Sequence, residues 1–316
     1  MAIPFAGIGA ESRMTRMTRA LAVLLSRAID YAGVFPPAKL DLALAYDDYS
    51  RYRRGREAWI LGKLVVRTTQ LGDLARLIEQ RPPEEPIAIS AIGRSGADRA
   101  SWEIGLEADA ASLNAFEANV GELATIEAYE TRLPDNDDAA GWIRDLHGFS
   151  GVDVYAELTW AAGQGDAMAV AAETEFVKVK ARTGGEVATT FPTPAQLAGF
   201  IQGAVQLGLA FKLTAGLHHA FPHHAAQLGV RMQGFVPVFA ATACAFAHDL
   251  SIRELTTILD IDSPNEFVFL DGALIVQNWT VGLDDLADTR ECIVAFGSCS
   301  IDEPLETLKG AGLDID

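Results

Sequence analysis

Two apolar segments carry cations at alternating positions: Lys178, Lys180 and Arg182 in EFVKVKARTGG (175–185), and Lys212 in AFKLTAGLHH (210–219). Side chains alternate along a strand, so Lys178, Lys180 and Arg182 share one face, and Val177, Val179 and Ala181 take the other. Lys212 and Thr214 share a face in the same way. If both segments are barrel strands, the apolar face meets the helices and the cations point inward, with Arg182 nearest the C-terminal mouth. The competing reading has the lysines reaching outward at strand edges. Lys180 and Lys212 are 32 residues apart, one strand–helix–strand unit, which sets them on neighbouring strands at similar height. Burial and a nearby like charge both lower a lysine's pKa, and a neutral amine attacks a carbonyl to give a Schiff base. One lysine is therefore expected to react while the other depresses its pKa.

Carboxylates on earlier segments complete the set. Glu127 in TIEAYET suits proton transfer, and Glu157 in YAELT suits pairing with a lysine that stays charged. Each could also be a plain ion pair balancing interior lysines. Glu130 falls on the opposite face from Glu127 by alternation and is expected outside the site.

The elements that must position these residues alternate in type. Strands are expected at 28–35, 58–66, 86–93, 124–131, 152–159, 175–182, 210–216 and 292–297. Helices are expected at 40–54, 71–79, 97–120, 139–146, 164–172 and 194–207, the last opened by the proline of PTPAQ and closed by Gly208. Eight strands with intervening helices predict an α/β fold of the (β/α)8 barrel type in one domain spanning 1–316. An open doubly wound sheet would show a glycine-rich loop after its first strand, and FAGIGAES supplies neither the full pattern nor the strand. Residues 217–291 exceed any other connection and are expected to form a mainly helical insertion packed on the barrel, with a hairpin around Asp271-Gly272.

A net charge of −18 argues against nucleic acid or an anionic membrane as partner, though a local field can still attract a small anion. Self-association is left open. Cys244, Cys292 and Cys299 form no CxxC pair and are odd in number, which fits a reducing, cytoplasmic setting. Arg13, Arg16 and Arg19 precede ALAVLL in the manner of a signal peptide. The stretch lacks a clear cleavage site and is expected to continue as an amphipathic helix. No run reaches the ~18 apolar residues of a bilayer span.

At these residues a resemblance is visible. KARTGG (180–185) is similar to the Schiff-base lysine segment Lys-Thr-Ser-Thr-Gly of deoxyribose-phosphate aldolases, and FKLTAGLHH (211–219) to their Phe-Lys-Pro-Ala-Gly-Gly strand. FGSCS (296–300) resembles their phosphate-holding Phe-Gly-Ala-Ser-Ser turn. IDYAGVFPP, TIEAYE and VYAELT are weaker matches to their Ile-Asp-His-Thr, Ile-Asp and Val-Ile-Ile-Glu-Thr strands. The resemblance implies a class I aldolase-like lyase acting on a small, phosphorylated carbonyl compound, with Lys180 as imine former and Glu127 as proton relay. It needs neither metal nor organic cofactor. Thr183, Gly184, Gly185, Gly216, Gly297, Ser298 and Ser300 would then contact substrate, with Lys178 and Arg182 adding charge.

The chain departs from that pattern at Lys178, an extra cation. It also has glutamate for the relay aspartate, Leu213-Thr214 for Pro-Ala, and His218 for an arginine. His218 is read as a substrate contact or acid–base group among His218, His219, His223 and His224. Two other functions stay open. One is a metal-assisted isomerase or hydrolase using Glu127, Glu157, His218 and His219. The other is a non-catalytic barrel that binds an anionic metabolite.

Overall fold

In the computed structural model, the described residues are 17–315, apart from 97, 135–137, 186 and 227–228. Arg13, Arg16 and FAGIGAES lie outside them. The chain runs α1 (Arg19–Leu25), β1 (Ile29–Tyr31), α2 (Leu42–Arg54), β2 (Leu61–Arg67), α3 (Leu71–Gln80), β3 (Ile87–Ile92) and α4 (Arg99–Val120). It continues through β4 (Ala124–Arg132), α5 (Ala139–Arg144), β5 (Asp153–Leu158), α6 (Gln164–Ala172), β6 (Val177–Arg182), α7 (Pro194–Gln206) and β7 (Phe211–Thr214). The long connection holds β8 (His223–Ala225), β9 (Val230–Met232), α8 (Phe235–Ala247), α9 (Ile252–Leu259), β10 (Phe267–Phe269), β11 (Ala273–Val276), β12 (Trp279–Gly282) and α10 (Leu283–Cys292). Last come β13 (Ile293–Ser298) and α11 (Asp302–Gly310).

Strands β1 to β7 and β13 close into a parallel eight-stranded barrel, with β13 between β7 and β1. This is the (β/α)8 architecture that the strand count predicts. Helix starts follow local chemistry. Thr193 caps α7 reciprocally with Gln196 and Pro194 fills the first turn, while Ser251 and Glu254 do the same for α9. The outer core between strands and helices is one apolar cluster.

The connection after β7 is woven into the helix layer. Helix α8 is buried almost throughout and lays Phe235 and Phe239 against Phe296 of β13. Strands β10 and β11 form the antiparallel hairpin expected around Asp271-Gly272, and β12 adds a third strand. Two-stranded β8–β9 is a further hairpin that periodicity did not signal. No helix among the described residues is long and apolar enough to cross a membrane.

The barrel interior is where this chain differs from an ordinary one. Barrel interiors are filled by layers of four side chains from alternate strands, mostly Val, Ile and Leu. Buried Val65, Ala128, Tyr155 and Ala295 lie outside the outer core and mark the inward faces of β2, β4, β5 and β13. Stepping the strand registers by the one residue per strand that shear 8 demands gives the layers from bottom to top. Above a base layer that includes Ala128, Lys178 and Ala295, the first of four further layers holds Asp30, Ser90, Tyr155 and Lys212. Above it lie Val65, Glu130, Lys180 and Gly297, then Ala32, Ile92, Glu157 and Thr214. Arg67, Arg132, Arg182 and Cys299 form the rim.

Candidate active site

Lys180 and Lys212 are register partners on β6 and β7, and both are buried in the lumen. The outward reading of these lysines is thereby excluded. Glu130 joins them: its Oε2 lies 2.8 Å from Lys180 Nζ and its Oε1 2.5 Å from Lys212 Nζ. Lys180 also lies 2.9 Å from Glu157 Oε2, and Lys212 lies 2.5 Å from Asp30 Oδ2. Ser90 donates its hydroxyl to Glu130 at 2.5 Å, the backbone N–H of Lys63 donates to Asp30 Oδ1 at 2.7 Å, and the Tyr155 ring sits 5.0 Å from Lys212 Nζ. These contacts link members of one layer or of adjacent layers, as the register requires.

The electrostatics overturn one expectation. Burial alone would lower both lysine pKa values. The carboxylates outweigh it: Glu130 and Glu157 raise Lys180, and Asp30 and Glu130 raise Lys212. Burial would likewise raise Glu130, but the two ammonium groups hold it well below the usual carboxylate range. Lys212 therefore does not depress Lys180 in the resting protein, because Glu130 stands between their charges.

Glu127 is the second correction. The β3–β4 pairing steps from Ile89–Ile126 to Ser90–Ala128, so Glu127 is an extra residue on β4. This bulge breaks the alternation that would have opposed Glu127 and Glu130. Glu130 thus enters the centre, and Glu127 pairs with Lys63 at 3.4 Å and Arg27 at 4.0 Å toward the N-terminal end. A cavity of about 400 Å³ opens there, lined by Arg27, Tyr49, Arg53, Gly62, Thr125 and Glu127 among others. It reaches neither central lysine, and barrel chemistry sits at the opposite, C-terminal face. Lys178 also leaves the site, paired with Asp153 at 2.8 Å two layers below Lys180.

The loops above the strands are committed largely to each other. Thr183 donates its N–H to Thr214 O at 2.8 Å and its hydroxyl to Ala215 O, so it clamps the β6 and β7 loops and is itself buried. A Cβ on Gly184 would come within 2.7 Å of Gly216 Cα, which explains the glycine pair without a ligand. Gly184→Ala is expected to cost ~1–3 kcal/mol, the usual penalty of overpacking, measured by urea denaturation. A loss under ~0.5 kcal/mol, the range of ordinary surface changes, would refute the clamp. Gly185 sits instead against Thr190.

In the final turn, Ser298 Oγ donates to Ser300 O at 2.6 Å, and Ser300 Oγ accepts from Glu303 N at 3.2 Å. Asp302 and Glu303 fill the first turn of α11, so carboxylates flank the expected phosphate cradle. Gly297 keeps its place in the Lys180 layer. His218 is near Glu303 (3.4 Å), as is His219 (3.6 Å), and burial lowers the His218 pKa. The His219 and His223 rings lie 3.9 Å apart. The four residues of the metal-assisted reading are not gathered, and no group of three or more potential ligands occurs among the described residues.

Sequence reasoning missed Asp30, Ser90, Glu130, Tyr155, Arg67 and Arg132. Asp30 between Ile29 and Tyr31 was a signal of the same kind as Lys180 between Val179 and Ala181. Arg67 and Arg132 fall two residues beyond inward Val65 and Glu130. The geometry must carry the functional reading unaided, since no family model, curated protein or solved structure matches this chain.

Proposed function

We propose that the chain is a class I, Schiff-base lyase acting on a small anionic carbonyl compound, with Lys180 as the imine-forming residue. One observation carries this reading: a buried lysine lies within 3 Å of two carboxylates, on an inward barrel face below the C-terminal mouth, with a second buried lysine on the next strand. The likeness of KARTGG and FKLTAGLHH to the aldolase strands supports it. Three free, buried cysteines agree with a cytoplasmic setting.

Lys180 rests as an ammonium, so a proton must leave before attack. Glu157 is the better acceptor, because Glu130 is already shared by two ammonium groups, whereas the next cation to Glu157 is Arg182 at 3.9 Å. Glu157 lies in the layer between Lys180 and the rim, on the substrate side. The neutral amine then adds to the carbonyl carbon, the oxygen leaves as water after protonation by Glu157, and a protonated imine remains. Glu157, ionised again, takes the proton of a hydroxyl one carbon further out as the carbon–carbon bond breaks; that carbon leaves as an aldehyde, and the bond's electron pair flows into the imine to give an enamine. Glu157 returns this proton to the enamine carbon, and water then adds to the protonated imine, releasing the second carbonyl product and restoring the Lys180 ammonium. Lys212 and Asp30, one layer down, hold Glu130 in place and keep the floor of the site charged.

The test is borohydride reduction with a panel of aldehydes and sugar phosphates, followed by peptide mass mapping. An adduct on Lys180 is expected; no adduct with any member would sink the reading. The resting ammonium state of both lysines favours one alternative, a barrel that binds an anionic metabolite without turnover. Absence of an adduct together with anion binding would select it.

A further inference from the structure

We infer that Arg67, Arg132 and Arg182 form an anion-binding layer at the rim, and that it selects a ligand end carrying two negative charges. This deepens the Schiff-base reading by naming the substrate's far end, but it stands on separate residues. The three arginines come from β2, β4 and β6, the alternate strands that feed one barrel layer. Each lies two residues past an inward residue, namely Val65, Glu130 or Lys180, so each starts from the lumen side. All three are exposed at the C-terminal ends of their strands.

Their charge is largely unspent. Among the described residues, no ion pair of 4.0 Å or less engages Arg67 or Arg132, and Arg182 has only the 3.9 Å approach of Glu157. The Arg67 guanidinium stacks 4.4 Å above the Phe35 ring, which orients its plane and leaves its N–H groups for a ligand. The fourth member of the layer, Cys299, is a small, buried residue. Three cations set on one barrel layer make a local attractive field at the rim of a chain of net charge −18. The serine turn of β13 offers no such field, because its hydroxyls bond locally and Asp302 and Glu303 flank it.

The layer's height sets the ligand's length. Two residues of a strand tilted ~36° rise ~5 Å along the barrel axis, which corresponds to roughly four bonds between the carbonyl carbon and the anionic group. A phosphate monoester and a pair of carboxylates on one carbon share the needed chemistry.

Isothermal titration with inorganic phosphate and with malonate distinguishes these two sources. Neither probe carries an aldehyde or ketone, so neither readout depends on imine formation. Wild type is expected to bind at least one of them, more weakly as salt rises. Each of Arg67→Gln, Arg132→Gln and Arg182→Gln should weaken binding roughly tenfold, and the triple variant should abolish it. Arg76→Gln, on the exposed face of α3 beside Asp73, should bind as wild type does. Tighter phosphate binding identifies a monoester and tighter malonate binding a dicarboxylate. The inference fails if wild type binds neither probe at millimolar concentration. It also fails if the triple variant, with unchanged circular dichroism, binds as well as wild type. Arginine-dependent binding without any borohydride adduct would remove the lyase reading and keep this layer. An adduct on Lys180 with no anion binding would do the reverse.

Discussion

Lys180→Met is expected to lose reductive trapping entirely and to lower turnover at least ~10³-fold, since no other amine shares its layer. The same change should destabilise the fold by ~3–5 kcal/mol at pH 7, because Glu157 would be left buried without its near cation. Denaturant titration at pH 7 measures this. Lys212→Met supplies the contrast. It should be destabilised to a similar degree, since Asp30 and Glu130 lose their shared partner, yet still trap a carbonyl compound on Lys180. Trapping that survives Lys180→Met and vanishes in Lys212→Met would move the imine one strand over and one layer down.

The contrast depends on layers, and the layers were only half legible in the sequence. The period-two pattern of VKVKAR is regular, so the inward aim of Lys180 followed from alternation and the height of Lys212 from one unit's length. Strands β2 to β7 and β13 were legible for the same reason: each is an apolar run bounded by turn residues. The failure came at β4, where a single extra residue exchanges Glu127 for Glu130. A bulge has no compositional mark in TIEAYET, and only the neighbour's register exposes it. Asp30 was hidden differently, since β1 spans three residues and offers too few positions for a period. The expected pKa relation failed because alternation gives faces but not contacts. Nothing in the spacing of Lys180 and Lys212 says that a carboxylate will come between them. Arg67 and Arg132 were legible in principle, yet each ends its strand and reads as an ordinary polar boundary.

Replacing Glu130 with Gln tests that intervening carboxylate directly. The amide keeps the shape but loses the charge, and its NH2 group must face an ammonium, donor against donor. A loss of ~3–5 kcal/mol is expected at neutral pH. Its pH dependence follows from the directions of the shifts. The Glu130 pKa is depressed, so its contribution is present above the unfolded value of ~4.3 and lost as pH falls through the folded value. The lysine pKa values are raised, so their contribution is full below the unfolded value of ~10.4 and lost as pH rises through the folded values. The stability gap between wild type and Glu130→Gln should therefore be level between about pH 5 and 10 and narrow on the acid side below about pH 4. With the carboxylate gone, Glu157 alone opposes burial and the like charge of Lys212, and the Lys180 pKa falls. The pH profile of trapping should then move toward acid by a unit or more, about the size of a single close charge. The mutual depression expected from two neighbouring lysines would thus be realised in the variant and suppressed in the native protein. An unchanged pH profile, with the variant folded, would mean that Glu130 does not set the protonation of Lys180.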